Sequence, residues 1–88
     1  MKLPEALKIM TDTLWRIENP QELSWALEEL MTPGEIIDMA DRITILQMLN
    51  AGKSQREIAE LLGISVTTVS RGSRVLQYGK GDIIKYLK

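Results

Sequence analysis

A chain of 88 residues with no cysteine and no histidine is one small domain at most, with no disulfide framework and no Cys–His or Ser–His–Asp catalytic set. Its formal net charge of −1 hides a polarity: residues 1–50 carry four basic side chains against nine acidic ones, and residues 51–88 carry seven against three. No apolar run approaches the ~20 residues of a membrane span, and the start, MKLPEALKIMTD, lacks a signal-peptide core, so a cytoplasmic protein without membrane contact is expected.

In chain order, strand signals are nearly absent and an all-α fold is expected. Leu3, Leu7, Met10, Leu14 and Ile17 alternate at spacings of four and three, a helical stripe, which predicts a first helix from about Pro4 to Glu18. Asn19 caps a second helix that starts at Pro20, with Leu23, Ala26, Leu27 and Leu30 on its apolar face. In TPGE, Thr32 and Glu35 form a capping box that opens a third helix over about 33–50. That helix is apolar on more than one side, as a central helix would be. Gly52 is its left-handed cap. A second capping box, Ser54 to Glu57, opens a short fourth helix that stops at Leu62–Gly63. Ser65 caps a fifth, from Val66 to about Gln77. The segment Gly79-Lys80-Gly81 lacks the spacing of a phosphate-binding loop and reads as a hinge. Asp82 caps a last helix, Ile83 to Leu87.

A chain this small buries little core, and neither a disulfide nor a His/Cys zinc site is available to staple it. The amphipathic helices of residues 1–31 therefore suit packing against a second copy. Trp15 and Trp25 are either core residues or anchors of that interface, and the methionines read as core filler.

The fourth and fifth helices have the features of a helix-turn-helix. Gly63 supplies the tight turn, Ala59 is small where two helices cross, and Ile58, Leu62, Ile64 and Val69 hold the pair together. The second helix of such a motif offers its N-terminal end to the major groove. Here that end carries Val66, Thr67, Thr68 and Ser70, hydroxyls for bases or phosphates and a small apolar group for a thymine methyl. Gln55 and Arg56 have the side chains suited to bidentate readout of adenine and guanine, and Lys53 and Arg74 suit phosphate. The bland alternative is a solvated helix face.

LMTPGE, then Arg42, then AGKSQREIAELLGISVTTVSRGSRVL resembles the tryptophan repressor family, in particular its tryptophan-repressor-like branch. The resemblance is detailed from Leu30 to Leu76 and looser on either side. It implies a helical bundle with a helix-turn-helix, assembled as an intertwined homodimer on double-stranded DNA. As a division of the single domain 1–88, it implies dimerisation helices at 1–31, a central helix at 32–52, the helix-turn-helix at 53–77 and a C-terminal helix at 82–88. Arg56 resembles the family's base-reading residue of the first helix, and Val66, Thr67, Thr68 and Ser70 its recognition-helix contacts.

The same resemblance implies a corepressor site for L-tryptophan or another small amino-acid-like ligand. Arg42 and Arg71 match the two arginines that sandwich the ligand, Gly72 the glycine beneath its ring, and Thr68 belongs to the same set. The ligand carboxylate is met by the second arginine and by the partner's Thr32. Two positions depart from the family: Val75 replaces a serine that helps hold the amino group, and Glu29 replaces a leucine at the pocket mouth. A structural alternative has Arg42 bridging to Asp38 or Asp41 and Arg71 binding phosphate. No catalytic residue and no metal ligand is expected. The functional expectation is a DNA-binding transcriptional regulator, a repressor acting as a homodimer on a two-fold operator. The competing expectation is a helical protein–protein module that keeps the fold without binding DNA.

Overall fold

The computed structural model describes residues 1–78 and 82–87; the side chains of Val75, Gln77, Tyr78 and Asp82 lie outside that description. The described chain is all-α: α1 Leu3–Leu14, α2 Pro20–Leu30, α3 Pro33–Asn50, α4 Gln55–Leu62, α5 Val66–Tyr78 and a 3-10 turn, Asp82–Tyr86. Two compact units are distinguished, Met1–Ile36 and Ile37–Lys88. Among the described residues no helix is long and apolar enough to cross a membrane.

In the first unit the helix ends are set by local chemistry. The first helix is shorter than its apolar stripe predicts. After Leu14 the Arg16 and Ile17 N–H groups donate three residues back, to the carbonyls of Thr13 (3.3 Å) and Leu14 (3.1 Å), which tightens the chain out of the α ladder. The cause lies just ahead: Pro20 bars Asn19 from the helical region, and Asn19 is extended at φ −143°, ψ 159°. That geometry frees its side chain to accept the Glu22 N–H at 2.9 Å, the expected cap of α2. The Thr32–Glu35 capping box is complete. The Glu35 N–H donates to the Thr32 hydroxyl (3.2 Å) and the Thr32 N–H donates to the Glu35 carboxylate (2.9 Å). The Thr32 backbone donor first, and its hydroxyl second, hold the Glu35 carboxyl below its ordinary value. Neither α1 nor α2 contains a buried residue.

The core belongs to the second unit. Ile45, Ile58, Ala59 and Val69 are buried together, with Met48, Leu49, Leu62 and Ile64 packed against them. The predicted capping devices hold. Gly52 takes φ +91°, and the Lys53 N–H reaches the Met48 carbonyl at 3.0 Å, closing the end of α3 as a left-handed glycine cap does. Ser54 accepts the Glu57 N–H at 3.1 Å, and Ser65 accepts the Thr68 N–H at 3.1 Å.

Four expectations are corrected. Helix α3 is not covered all round: Ile37, Met39 and Ile43 are exposed, and only Ile45 and Leu46 are buried. The methionines are not uniformly core filler, since Met1, Met10 and Met39 are exposed while Met48 packs on the core. Trp15 (87% exposed) and Trp25 (55%) are not core residues of this chain. The last helical segment is a five-residue 3-10 turn that starts at Asp82. The predicted hinge at Gly79-Lys80-Gly81 and the Asp82 side-chain cap lie outside the described residues.

Candidate functional site

The α4–α5 pair is built from short-range rules. Eight residues of α4 are too few to hold a helix alone, so the Ser54 cap and the burial of Ile58 and Ala59 carry it. Gly63 ends it at φ +67°, ψ 33°, the left-handed region that a Cβ disfavours. The Ile64 N–H then donates to the Ala59 carbonyl at 3.1 Å, and two residues later α5 begins. Ile58 and Val69, both fully buried, lock the two helices across the turn, as their spacing predicts.

The predicted reading residues divide into two groups. Lys53, Arg56, Val66, Thr67, Thr68 and Arg74 are exposed. Gln55 and Ser70 are half-buried and engage each other: the Ser70 hydroxyl donates to Gln55 Oε1 at 2.6 Å. Sequence reasoning placed both on the working face but not against one another. The bond spans 15 positions in the chain and ties the start of α4 to the second turn of α5. It spends the Ser70 proton and leaves the Gln55 amide NH2 free to donate. Ser73, itself buried, donates its hydroxyl to the Ser70 carbonyl at 2.7 Å.

Four of the five predicted ligand residues line one cleft of about 470 Å³: Arg42, Thr68, Arg71 and Gly72, together with Asp38, Asp41 and Ile45. That volume falls within the ~300–1,000 Å³ of small-molecule sites. On α3, positions 38, 41, 42 and 45 follow the helical repeat of one face, and on α5 so do 68, 71 and 72. Gly72 lies close against α3: a Cβ there would lie 3.2 Å from both Ile45 Cδ1 and Cγ2. Thr32 belongs to the first unit and is engaged as the α3 cap. Glu29 is exposed there, and the Val75 side chain lies outside the described residues.

Asp38 and Asp41 as lining residues were missed as site members, although their spacing from Arg42 and Ile45 carried the signal. The alternative in which they bridge to Arg42 does not hold: the one ion pair among the described residues is Lys8–Asp12, at 3.1 Å. Thr68 serves two structures at once. Its hydroxyl lies 2.8 Å from the Ser65 hydroxyl in the α5 cap, and it lines the cleft. Among the described residues no His, Cys, Asp and Glu cluster could hold a metal.

Comparison with known proteins agrees with this architecture. A family profile described as Trp repressor protein matches residues 5–88. A Trp operon repressor homolog of Xylella fastidiosa (strain M23) is 35% identical over 78 residues, 88% of this chain and 85% of the relative. Trp operon repressor homologs of Vibrio campbellii and Photobacterium profundum are each 40% identical. They align over 66 and 62 residues, which are 74% and 69% of this chain and 65% and 60% of those proteins. No solved structure matches the chain. A match over nearly the whole length, together with relatives of this similarity, places the chain in the Trp repressor protein family, a family of repressor-like regulators and not of enzymes.

Proposed function

We propose that the chain is a sequence-specific DNA-binding transcriptional repressor that works as a homodimer on a two-fold operator. The observation that carries this reading is the α4–α5 pair: a left-handed Gly63 turn and a buried Ile58–Val69 lock leave Val66, Thr67 and Thr68 exposed at the leading end of α5. Arg56, Lys53 and Arg74 are exposed on the same short segment. Val66–Thr68 enter the major groove, Arg56 and the free amide of Gln55 donate to base edges or phosphates, and Lys53 and Arg74 neutralise phosphates. Ser70 acts by holding Gln55.

The homodimer is supported by the first unit. Leu3, Leu7, Ile9, Met10, Trp15, Leu23, Trp25 and Leu30 are all exposed there, more apolar surface than a monomer ordinarily shows to water. A second copy covers it, and residues 1–31 are then the dimerisation helices of a domain spanning 1–88. Membership of the Trp repressor protein family and the small-molecule-sized cleft lined by Arg42 and Arg71 support control by an amino-acid-like corepressor there.

Selection of bound fragments from a genomic DNA pool by the purified protein, followed by fluorescence anisotropy on the selected duplex, tests the reading. The expected site has two half-sites about one helical turn apart. Arg56→Ala and Thr67→Ala should each weaken it by about 1–3 kcal/mol, whereas Arg74→Ala should reduce the salt slope by about one. Failure to select any fragment, or unchanged affinity in the Arg56 and Thr67 variants, overturns the groove assignment.

A further inference from the structure

The contact between Ser70 and Gln55 is 2.6 Å long, and that length identifies its chemistry. A hydroxyl reaches an oxygen at about 2.5–3.0 Å, whereas an amide N–H approaches an oxygen only to about 2.7–3.2 Å. The Gln55 amide is therefore turned with its oxygen, not its nitrogen, toward Ser70. Both side chains are half-buried. Among the described residues the Gln55 side chain makes this hydrogen bond and no other. No buried side-chain polar atom there lacks a partner, so the NH2 end of Gln55 reaches solvent. The Ser73 hydroxyl, 2.7 Å from the Ser70 carbonyl, ties down the same turn of α5.

A free glutamine reads adenine with both ends: its oxygen accepts from N6 and its NH2 donates to N7. In this chain the oxygen is held against α5. Turning it toward a base would break the Ser70 bond and leave that half-buried hydroxyl without its acceptor, a loss comparable to the gain. Only the NH2 end is offered. It matches an acceptor, namely guanine O6 or N7, thymine O4 or a phosphate oxygen. Adenine keeps its N7 but finds no acceptor for its amino group, so its advantage disappears. Holding the amide in advance also removes rotamer freedom that a long side chain otherwise loses on binding.

We propose that Ser70 is a positioning residue of the DNA-reading face and not itself a DNA contact. It fixes Gln55 as a donor that meets an acceptor atom of the operator, and so removes the adenine preference a free glutamine brings. This rests on the groove-reading function proposed above. It reverses two expectations from the sequence, Ser70 as a direct contact and Gln55 as a two-ended reader of adenine.

A selected duplex, with each base pair of one half-site varied in turn, is titrated by fluorescence anisotropy with the parent, S70A, Q55A and Q55A/S70A. Q55A should weaken binding about tenfold, and S70A about three- to tenfold through the freed amide. In the Q55A background, S70A should cost less than about twofold, the coupling expected when one residue acts through the other. Ser70→Thr, which keeps the hydroxyl, should recover most of the affinity lost in S70A. A scan of single methylphosphonate substitutions separates the two sources of acceptor. If one neutral phosphate abolishes the Q55A effect, the acceptor is a phosphate oxygen. If none does, it is a base edge, and S70A should then shift the preference at that base pair toward adenine. Far-UV circular dichroism checks the helices, and Ser70→Cys, close in size but a weak donor, replaces S70A if that variant does not fold. The proposal is overturned if S70A costs the same with and without Gln55, if Q55A leaves affinity unchanged, or if the parent shows an adenine preference that Q55A abolishes. Equal and additive losses in a chain that still binds DNA remove this role alone. Failure to select any duplex removes the groove-reading function and this role with it.

Discussion

Gly72→Ala sets two effects against each other at one atom. Alanine in mid-helix is favoured over glycine by about 0.8–1.0 kcal/mol, so propensity alone predicts a more stable α5. The added Cβ, however, would sit 3.2 Å from Ile45 Cδ1 and Cγ2 and 3.6 Å from Ile45 Cβ. Relaxed carbon–carbon contact is about 3.5–4.0 Å, leaving a shortfall of about 0.3 Å against two atoms. Ile45 is 1% exposed and sits among Ile58, Ala59 and Val69, so it cannot swing away into solvent. Overpacking of this kind costs about 1–3 kcal/mol. The expected net is a loss of about 1 kcal/mol. Ile45→Val removes Cδ1, one of the two crowded atoms, at its own cost of about 0.5–1.5 kcal/mol. In that background Gly72→Ala should be milder by about 0.5–1 kcal/mol, a coupling expected of residues in contact. Urea unfolding followed by far-UV circular dichroism reads all four proteins, at one chain concentration because assembly shifts apparent stability. If Gly72→Ala stabilises the protein equally in both backgrounds, the α3–α5 approach is looser than described and the cleft floor is wrong.

Other perturbations follow from the caps. Gly63→Ala should cost about 1–2 kcal/mol from its φ of +67° alone, because nothing lies within 4 Å of the added Cβ; a thermal melt unchanged from the parent would contradict the left-handed turn. Glu35 has its carboxyl held low by the Thr32 N–H, so its contribution is fully present above the ordinary value of 4.5 and is lost as pH falls through the lower folded value. Glu35→Gln keeps a capping side chain but removes the titration. Its urea midpoint should therefore fall less than the parent's on acidification, and parallel pH profiles would exclude the assignment.

Features set by near neighbours were legible in the sequence. The Ser54–Glu57 and Thr32–Glu35 boxes, the Gly52 and Gly63 caps and the Ile58–Val69 lock each depend on a few adjacent positions, and residue type at fixed spacing was enough. The end of α1 was not legible from its stripe, because Ile17 continues the apolar repeat while Pro20, three residues on, already constrains the backbone. The apolar sides of α3 showed that cover is wanted at Ile37, Met39 and Ile43 without showing what supplies it. The cleft was half legible. Arg42, Thr68, Arg71 and Gly72 are named through family resemblance, while Asp38 and Asp41 enter only as alternative bridging partners of Arg42. Their spacing sets them on one α3 face with Arg42 and Ile45, but that this face meets α5, some 30 positions on, is encoded by no local pattern. The Ser70–Gln55 bond is of the same kind.

The two walls of the cleft differ in how freely they can diverge. On the α5 side, Thr68 is at once a lining residue and a member of the Ser65 cap, and Gly72 is held to its size by Ile45. A substitution there that suited a new ligand would also loosen the helix start or crowd the core. On the α3 side, Asp38 and Asp41 support no cap and no ion pair among the described residues. If the cleft takes the proposed corepressor, changes at 38 and 41 would alter its surroundings with little harm to the fold, while the α5 wall stays fixed. A lineage would then retune that ligand without rebuilding the helix pair beside it.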